Sequence, residues 1–377
     1  MAVRNIYLAA TGMNRGKTTV CLGFLHGCLS RGLATGFLKP VGQRTVIQDG
    51  VPADDDAVLM RSVFNLPDPI SVMSPVHIPR GFTKAYINGE VVEDLAGKIR
   101  GAHALLARNR EVVLIEGTGH AGVGAVIGLS NAHVAALLGA PAIIVSEGGV
   151  GRPIDEIVLN ASLFARHGVR VAGAIVNKVD LDVQPGIVPV LERGLALHGI
   201  PLLGVLPYRP ILSNPTLGMI LEGLGGETIC PGPDLDRVAE GVSIGAMERD
   251  HVLDRVGPGT LVIVPADRTD VIVGLTTAQA DGRGALGLVL TDRYRPRPSA
   301  VEAIRAANLF AMRVPEDTYV VASTIHDLLV KTHPSDVEKI SLIKDLVREN
   351  LDIDRILDVA SDTPRSEEHT SELQSQR

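Results

Sequence analysis

Ala9-Ala10-Thr11-Gly12-Met13-Asn14-Arg15-Gly16-Lys17-Thr18-Thr19 follows an apolar run, Ile6 to Ala10, that reads as a buried strand. It precedes Val20-Cys21-Leu22-Gly23-Phe24-Leu25, whose spacing reads as a helix. Strand, glycine-rich turn, Gly-Lys-Thr and helix form the arrangement that cradles phosphates. Backbone N–H groups from Gly12 through Asn14, Arg15, Gly16 and Lys17 to Thr19 face the ligand, and the helix N-terminus adds a positive field. Lys17 would neutralise the outer phosphates, and the Thr18 hydroxyl would complete the shell of a magnesium ion. The strict pattern places its first glycine at position 11; Thr11 stands there and Gly12 follows. The plain alternative is an ordinary strand-to-helix turn, and the flanking strand and helix argue against it.

Working outward, residues 1 to about 225 alternate short apolar runs with helical segments. The runs Ile6–Ala10, Thr35–Lys39, Val112–Ile115, Ala142–Val145, Val171–Val176 and Leu202–Leu206 read as strands covered on both faces. Helical stretches, among them Asp55–Phe64, Val91–Asn109, Asn131–Leu138 and Pro153–His167, separate them. This predicts an α/β, doubly wound, mainly parallel sheet with ligands at the carboxyl ends of its strands. The Gly/Pro-rich stretch Gly225–Pro233 reads as the start of a linker, taken as 226–259. A smaller α/β domain is expected over 260–360. Its strands are Thr260–Val264, Ala285–Leu290 and Phe310–Val314, and its helices Asp270–Gln279, Ser299–Ala307, Ser323–Leu329 and Asp336–Asn350. Residues 365–377 are polar, unpatterned and similar to translated sequencing adapter; they are excluded from the reading, which puts the natural C-terminus beyond this chain.

Several strand ends carry candidate chemistry. Lys39, before Pro40, would point into the phosphate crevice and assist a transferring group, or else face solvent. Asp54-Asp55-Asp56 opens a helix: one aspartate serves as a cap, and Asp54 and Asp56 are candidates for the metal. Glu116 ends a buried strand before Gly117-Thr118-Gly119, the usual place of a second magnesium anchor. Asn177-Lys178-Val179-Asp180 reads either as a guanine reader, as an adenine contact through Asn177, or as a turn. Asp267-Arg268-Thr269-Asp270 is a helix cap or an anion contact through Arg268. The histidines show no spacing for a metal site or triad.

Composition narrows the partners. Apolar residues are 45% and charged residues 21% of 377, enough for sizeable cores. The formal charge of −7, without a basic stripe interleaved with aromatics, argues against nucleic acid. No apolar run is long enough to span a membrane. The first strand begins without room for a signal peptide, and three cysteines make no disulfide framework, so a cytoplasmic protein is expected.

Taken in order, these motifs resemble a known arrangement. Gly16-Lys17-Thr18, Lys39-Pro40-Val41, Asp56-Ala57, Glu116-Gly117-Thr118, Asn177-Lys178, Leu203–Pro207 and Pro215-Thr216 are similar to dethiobiotin synthetase and the cobyrinate amide synthases. The nearest likeness is to the dethiobiotin-synthetase-like N-terminal region of bacterial phosphate acetyltransferases. Gly245-Ala246-Met247, Pro258–Ile263, Asp267-Arg268, Leu290-Thr291 and Asp317-Thr318-Tyr319 resemble the DRTGG domain that follows there. The resemblance implies phosphate and metal binding by Lys17, Thr18, Asp56 and Glu116, with Lys39 assisting carboxylate chemistry. Three departures stand out: the loop tip Met13-Asn14-Arg15, the turn Gly42-Gln43-Arg44, and Asp270-Val271 in place of the DRTGG glycines. The implied cofactors are ATP, with GTP the alternative, and Mg2+.

Three functions follow. One is a nucleotide-dependent regulatory protein, acting on a second copy in a homodimer or on an acetyltransferase-like partner. The second is an ATP-dependent ligase with a small carboxylate substrate, in which Lys17 and Lys39 are catalytic. The third is a GTP-dependent switch. Acetyl transfer itself is not expected, because the catalytic domain of the acetyltransferases has no counterpart here.

Overall fold

A computed structural model of the chain describes residues 3–280, 282–328 and 330–361. The adapter-like tail lies outside them. The chain divides into two compact units: residues 1–208 with 332–377, and residues 209–331.

The first unit is organised on a parallel six-stranded sheet. Its first strands are β1 (Arg4–Ala10) and β2 (Thr35–Leu38). An insert of β3 (Val41–Gly42), β4 (Thr45–Gln48), β5 (Val51–Asp54) and β6 (Val76–His77) separates these from β7 (Val112–Glu116), β8 (Ala142–Glu147), β9 (Val171–Val179) and β10 (Leu202–Pro207). The order is β10-β9-β8-β1-β7-β2. β1 and β7 are buried almost throughout, which is why they read as unbroken apolar runs. Because later strands lie on both sides of β1, its carboxyl end opens on the crevice where an α/β sheet takes ligands. The insert, with β3 paired to β6 and β4 to β5, left no apolar signal: its strands are two to four residues long and β4 is largely exposed.

The second unit holds a five-stranded sheet of β11 (Glu227–Cys230), β12 (Gly241–Ile244), β13 (Thr260–Pro265), β14 (Gly287–Thr291) and β15 (Phe310–Arg313). The order is β11-β15-β14-β13-β12, with β11 alone antiparallel to its neighbour. Alternation along β13 splits the core: Val262 and Val264 pack with Val271 and Leu275, and Leu261 and Ile263 with Ile220, Val321 and Ile325.

Two expectations change. The stretch 226–259 is no linker, because β11 and β12 are strands of this sheet. The helix read as Asp336–Asn350, observed over Val337–Asn350, belongs to the first unit, as does a further helix, Ile353–Ser361. Both lie against helix Lys17–Ser30, whose glycines admit them: a Cβ on Gly23 would sit 2.2 Å from Val347, and one on Gly27 2.8 Å from Ile353.

Candidate functional site

The turn after β1 closes on Gly16, whose φ of +87° favours glycine. A Cβ there would lie 2.0 Å from Asn177 Nδ2. That amide donates to the Arg15 carbonyl at 3.1 Å, so Asn177, carried by β9, supports the loop from beneath. Lys178 Nζ donates to the Asn14 carbonyl at 2.8 Å and to Glu147 Oε1 at 2.9 Å. The Arg15 guanidinium pairs with Glu147 and lies 3.8 Å from Glu156. Gly12 faces the same guanidinium, 3.3 Å from where its Cβ would be. Lys17, Thr18 and Thr19 form the first turn of helix Lys17–Ser30.

Beside the loop, four side chains from four elements converge. Thr18 Oγ1 lies 3.0 Å from Glu116 Oε1 and 3.2 Å from Asp56 Oδ1, and its single proton donates to one of the two carboxylates. Lys39 Nζ donates to Asp56 Oδ2 at 2.6 Å and to Glu116 Oε1 at 3.0 Å. Lys39 and Glu116 are almost wholly buried. Burial alone would lower the Lys39 pKa, but Asp56 and Glu116 hold it well above the usual lysine value. Burial and then the Asp56 charge push Glu116 up to about 7. Burial would raise Asp56 as well, yet Lys39 keeps it below its ordinary value. Burial, followed by repulsion from Lys39, lowers Lys17. Glu116 Oε2 is buried with no hydrogen-bond partner, the kind of group a bound cation or an ordered water satisfies.

The structure brings together Lys17, Thr18, Lys39, Asp56 and Glu116. Asp54 it gives to another task. Although ligand-type oxygens of Asp54, Asp55 and Asp56 lie within 4.8 Å of one another, Asp54 Oδ1 caps helix Asp55–Phe64 by accepting from Asp56 N at 3.1 Å. Its Oδ2 accepts from Gln43 N at 3.1 Å and Arg44 N at 3.4 Å. With both oxygens engaged by backbone N–H groups, Asp54 serves as a buried helix cap. Asp180 makes a turn: its Oδ1 accepts from Asp182 N and Val183 N at 3.2 and 3.0 Å, and the guanine reading loses that oxygen. In the second unit, Arg268 is bound bidentately by Asp270 at 2.9 Å and donates to the Met247 carbonyl, so it offers no open anion contact.

The buried pair Tyr7 and Asn131 escaped the sequence reading as a support of the site. Asn131 receives the Tyr7 hydroxyl at 2.8 Å and the Thr118 N–H at 3.0 Å, and donates to the Thr118 and His120 carbonyls at 2.7 and 2.6 Å. It fixes the turn after Glu116. Gly117 is required by that closeness, since a Cβ would lie 2.6 Å from Asn131 Oδ1. A tyrosine within a fully apolar strand was the available signal, because a buried phenol needs a partner.

Residues 4–216 match the family described as AAA domain, and residues 219–328 the DRTGG domain. The phosphate acetyltransferase of Pseudomonas putida is 27% identical over 369 residues, covering 93% of this chain and 51% of that protein. That of Nitratidesulfovibrio vulgaris is 26% identical over 362 residues, covering 92% and 50%. The chain therefore spans about half the length of these relatives. Among solved structures, the MinC:MinD cell division complex of Aquifex aeolicus is similar with a TM-score of 0.37 at 15% identity, over 56% of this chain and 84% of that one. The CBS and DRTGG domains of Clostridium perfringens pyrophosphatase, complexed with diadenosine tetraphosphate, give a TM-score of 0.26 at 20% identity, over 35% and 60%. The fold assignment rests on this chain's own strand order and not on those distant structures. With more than half its length inside the first match, this protein belongs to the AAA-domain family, its P-loop domain joined to a DRTGG domain as in the N-terminal part of phosphate acetyltransferases.

Proposed function

We propose that the protein binds ATP with Mg2+ and acts as a nucleotide-dependent regulatory protein. The observation that carries this reading is the state of Lys39. Its ammonium is engaged by Asp56 and Glu116 and so is not itself free to hold a substrate carboxylate, while Glu116 Oε2 and the Thr18 hydroxyl stand beside the loop. The donor set suits the ion: a hydroxyl and carboxylate oxygens are the hard ligands Mg2+ takes, alongside phosphate oxygens. Thr18, Asp56 and Glu116 would hold it, and it would neutralise the triphosphate charge. Backbone N–H groups from Gly12 to Thr19 and the Lys17 ammonium would bind the phosphates. Asn177 supports the loop and does not discriminate ATP from GTP.

The ligase reading keeps one observation in its favour: Lys39 stands within the Asp56–Glu116 pair, where a bound metal would draw those carboxylates away from it. Calorimetric titration with ATP and GTP, with and without Mg2+, followed by turnover assays with small carboxylic acids, separates the readings. Tight Mg2+-dependent ATP binding with negligible turnover supports regulation. A turnover that rises about tenfold with one acid supports the ligase. The second unit would report to a second copy or to an acetyltransferase-like partner. A cytoplasmic location fits three buried free cysteines and, among the described residues, no helix long and apolar enough to cross a membrane.

A further inference from the structure

The sheet of the second unit has two edges built differently. β11 is bulged between Thr228 and Cys230 and carries exposed Glu227, 3.9 Å from guanidinium nitrogens of Arg295 and Arg313. A bulge and a charge are devices that keep an edge from pairing. β12, Gly241-Val242-Ser243-Ile244, has no charge, no proline and no bulge, and it runs in unbroken register with β13. Among the described residues no strand lies on its outer side. Val242 and Ile244 are 46% and 44% exposed.

We propose that β12 is a self-pairing edge, through which two copies of this chain join in an antiparallel contact about a twofold axis at Ser243. The backbone selects this register. Gly241 N and Gly245 N donate inward to Gly259 O and Ile263 O, so the N–H and C=O groups of Val242 and Ile244 point outward. An antiparallel copy centred on Ser243 sets Val242 opposite the second copy's Ile244, and the reverse, so that all four outward groups on each copy are satisfied. The sequence is matched to the same axis. Apolar–Ser–apolar reads alike in both directions, as an isologous contact demands, and pairs β-branched residues across the strands. Glu240 meets Ala246 and so faces no like charge. Val242 and Ile244 share a face with Leu261 and Ile263, the face on which helix Thr318–Asp327 packs. That helix adds Val320, 43% exposed, and Tyr319, 81% exposed. Four strand residues bury far less than the roughly 800 Å² per partner of a standard stable interface, so the dimer forms at micromolar or higher concentration.

Sedimentation velocity of the full chain from about 1 to 200 µM tests this, since mass action must reveal the dimer. The wild type shifts from monomer to dimer across the range. Val242→Lys, which charges the edge, and Ile244→Pro, which removes an outward N–H and leaves the bonds to β13 intact, remain monomeric with unchanged thermal unfolding. Ser243→Cys becomes a disulfide-linked dimer under mild oxidation, because a non-hydrogen-bonded antiparallel pair sets its Cα atoms about 4.5 Å apart. A wild type that stays monomeric, a dimer that survives both edge substitutions, or a dimer in which Ser243→Cys does not cross-link overturns the proposal. None of these results depends on nucleotide, so the regulatory reading stands or falls separately.

Discussion

Asp54 and Glu116 are both buried carboxylates beside Asp56, yet their partners give them opposite work. Asp54 accepts backbone N–H groups at both oxygens, and Glu116 keeps one buried oxygen without a partner. Lys39 holds the group together. Replacing it by alanine leaves Asp56 and Glu116 without the cation that bridges them, a change that costs about 3 kcal/mol when a buried pair loses one partner. Urea unfolding at pH 8 should register that loss for Lys39→Ala, and a change below about 1 kcal/mol would contradict the ion-pair account. Lys17→Ala should abolish ATP binding in a calorimetric titration, because no other cation in the loop is directed to the phosphates; Arg15 is already committed to Glu147. A different residue sets a pH dependence. Burial lowers the imidazole pKa of His103 below its ordinary 6.5. Its Nε2 lies 2.8 Å from Asn5 Oδ1, and the Asn5 amide donates to the Leu138 carbonyl, so Nε2 carries the proton in the neutral ring. As pH falls the unfolded chain takes up a proton first, so this contribution is whole above 6.5 and is lost below it. His103→Gln, which keeps a donor to Asn5, should flatten the slope of stability between about pH 7.5 and 5.5. At this scale the sequence let the convergence of Lys17, Thr18, Lys39, Asp56 and Glu116 be read, because strand ends and the loop dictate where they go. It could not separate Asp54 from Asp56, since an aspartate that caps a helix and one that faces Thr18 and Lys39 look alike until the backbone partners are seen.

Helix Lys17–Ser30 shows what was legible in an element and what was not. Its start follows from the loop and the Gly-Lys-Thr turn. Gly23 and Gly27 inside it disfavour helix, and isolated helical glycines signal close packing without naming the neighbour. The neighbours are Val347 and Ile353, more than 300 residues along the chain, a separation no local period encodes. Gly23→Ala should therefore destabilise the first unit by roughly 1–3 kcal/mol through overpacking, despite alanine's better helix propensity. Val347→Ala should restore part of that loss when combined with it, because the intruding methyls are those of Val347. A double-mutant cycle with no coupling would remove the contact from the account. The strands β13, β14 and β15 were legible as apolar runs, whereas β11 and β12 were not. Each has four residues at a sheet edge, β11 between Gly226 and Pro231 and β12 opening on Gly241 and followed by Gly245, and such an edge has the composition of a linker.

At the scale of the molecule, the P-loop unit is discontinuous in sequence and the DRTGG-containing unit is continuous. Residues 209–331 leave and re-enter one compact body whose last helices, Val337–Asn350 and Ile353–Ser361, close over helix Lys17–Ser30. Reading the chain in order hid this, because those helices follow the second sheet directly and carry the same amphipathic period as its own. The two arrangements predict different fragments. If the last helices belonged to the second unit, residues 1–225 would form an intact nucleotide-binding domain. In the observed arrangement, that fragment lacks Ile343, Leu346, Val347, Ile353, Ile356 and Leu357, all buried in the complete chain. Burying a large aliphatic side chain contributes about 1.5–3 kcal/mol, so six such losses, roughly 9–18 kcal/mol, are as large as the 5–15 kcal/mol by which a domain is normally stable. Residues 1–225 should accordingly be unfolded or aggregated when expressed alone. Residues 209–331, with a core on each face of their sheet, should unfold cooperatively as an isolated fragment. Circular dichroism melts of the two fragments check both statements. A cooperative transition for residues 1–225 near that of the full chain would return the last helices to the second unit.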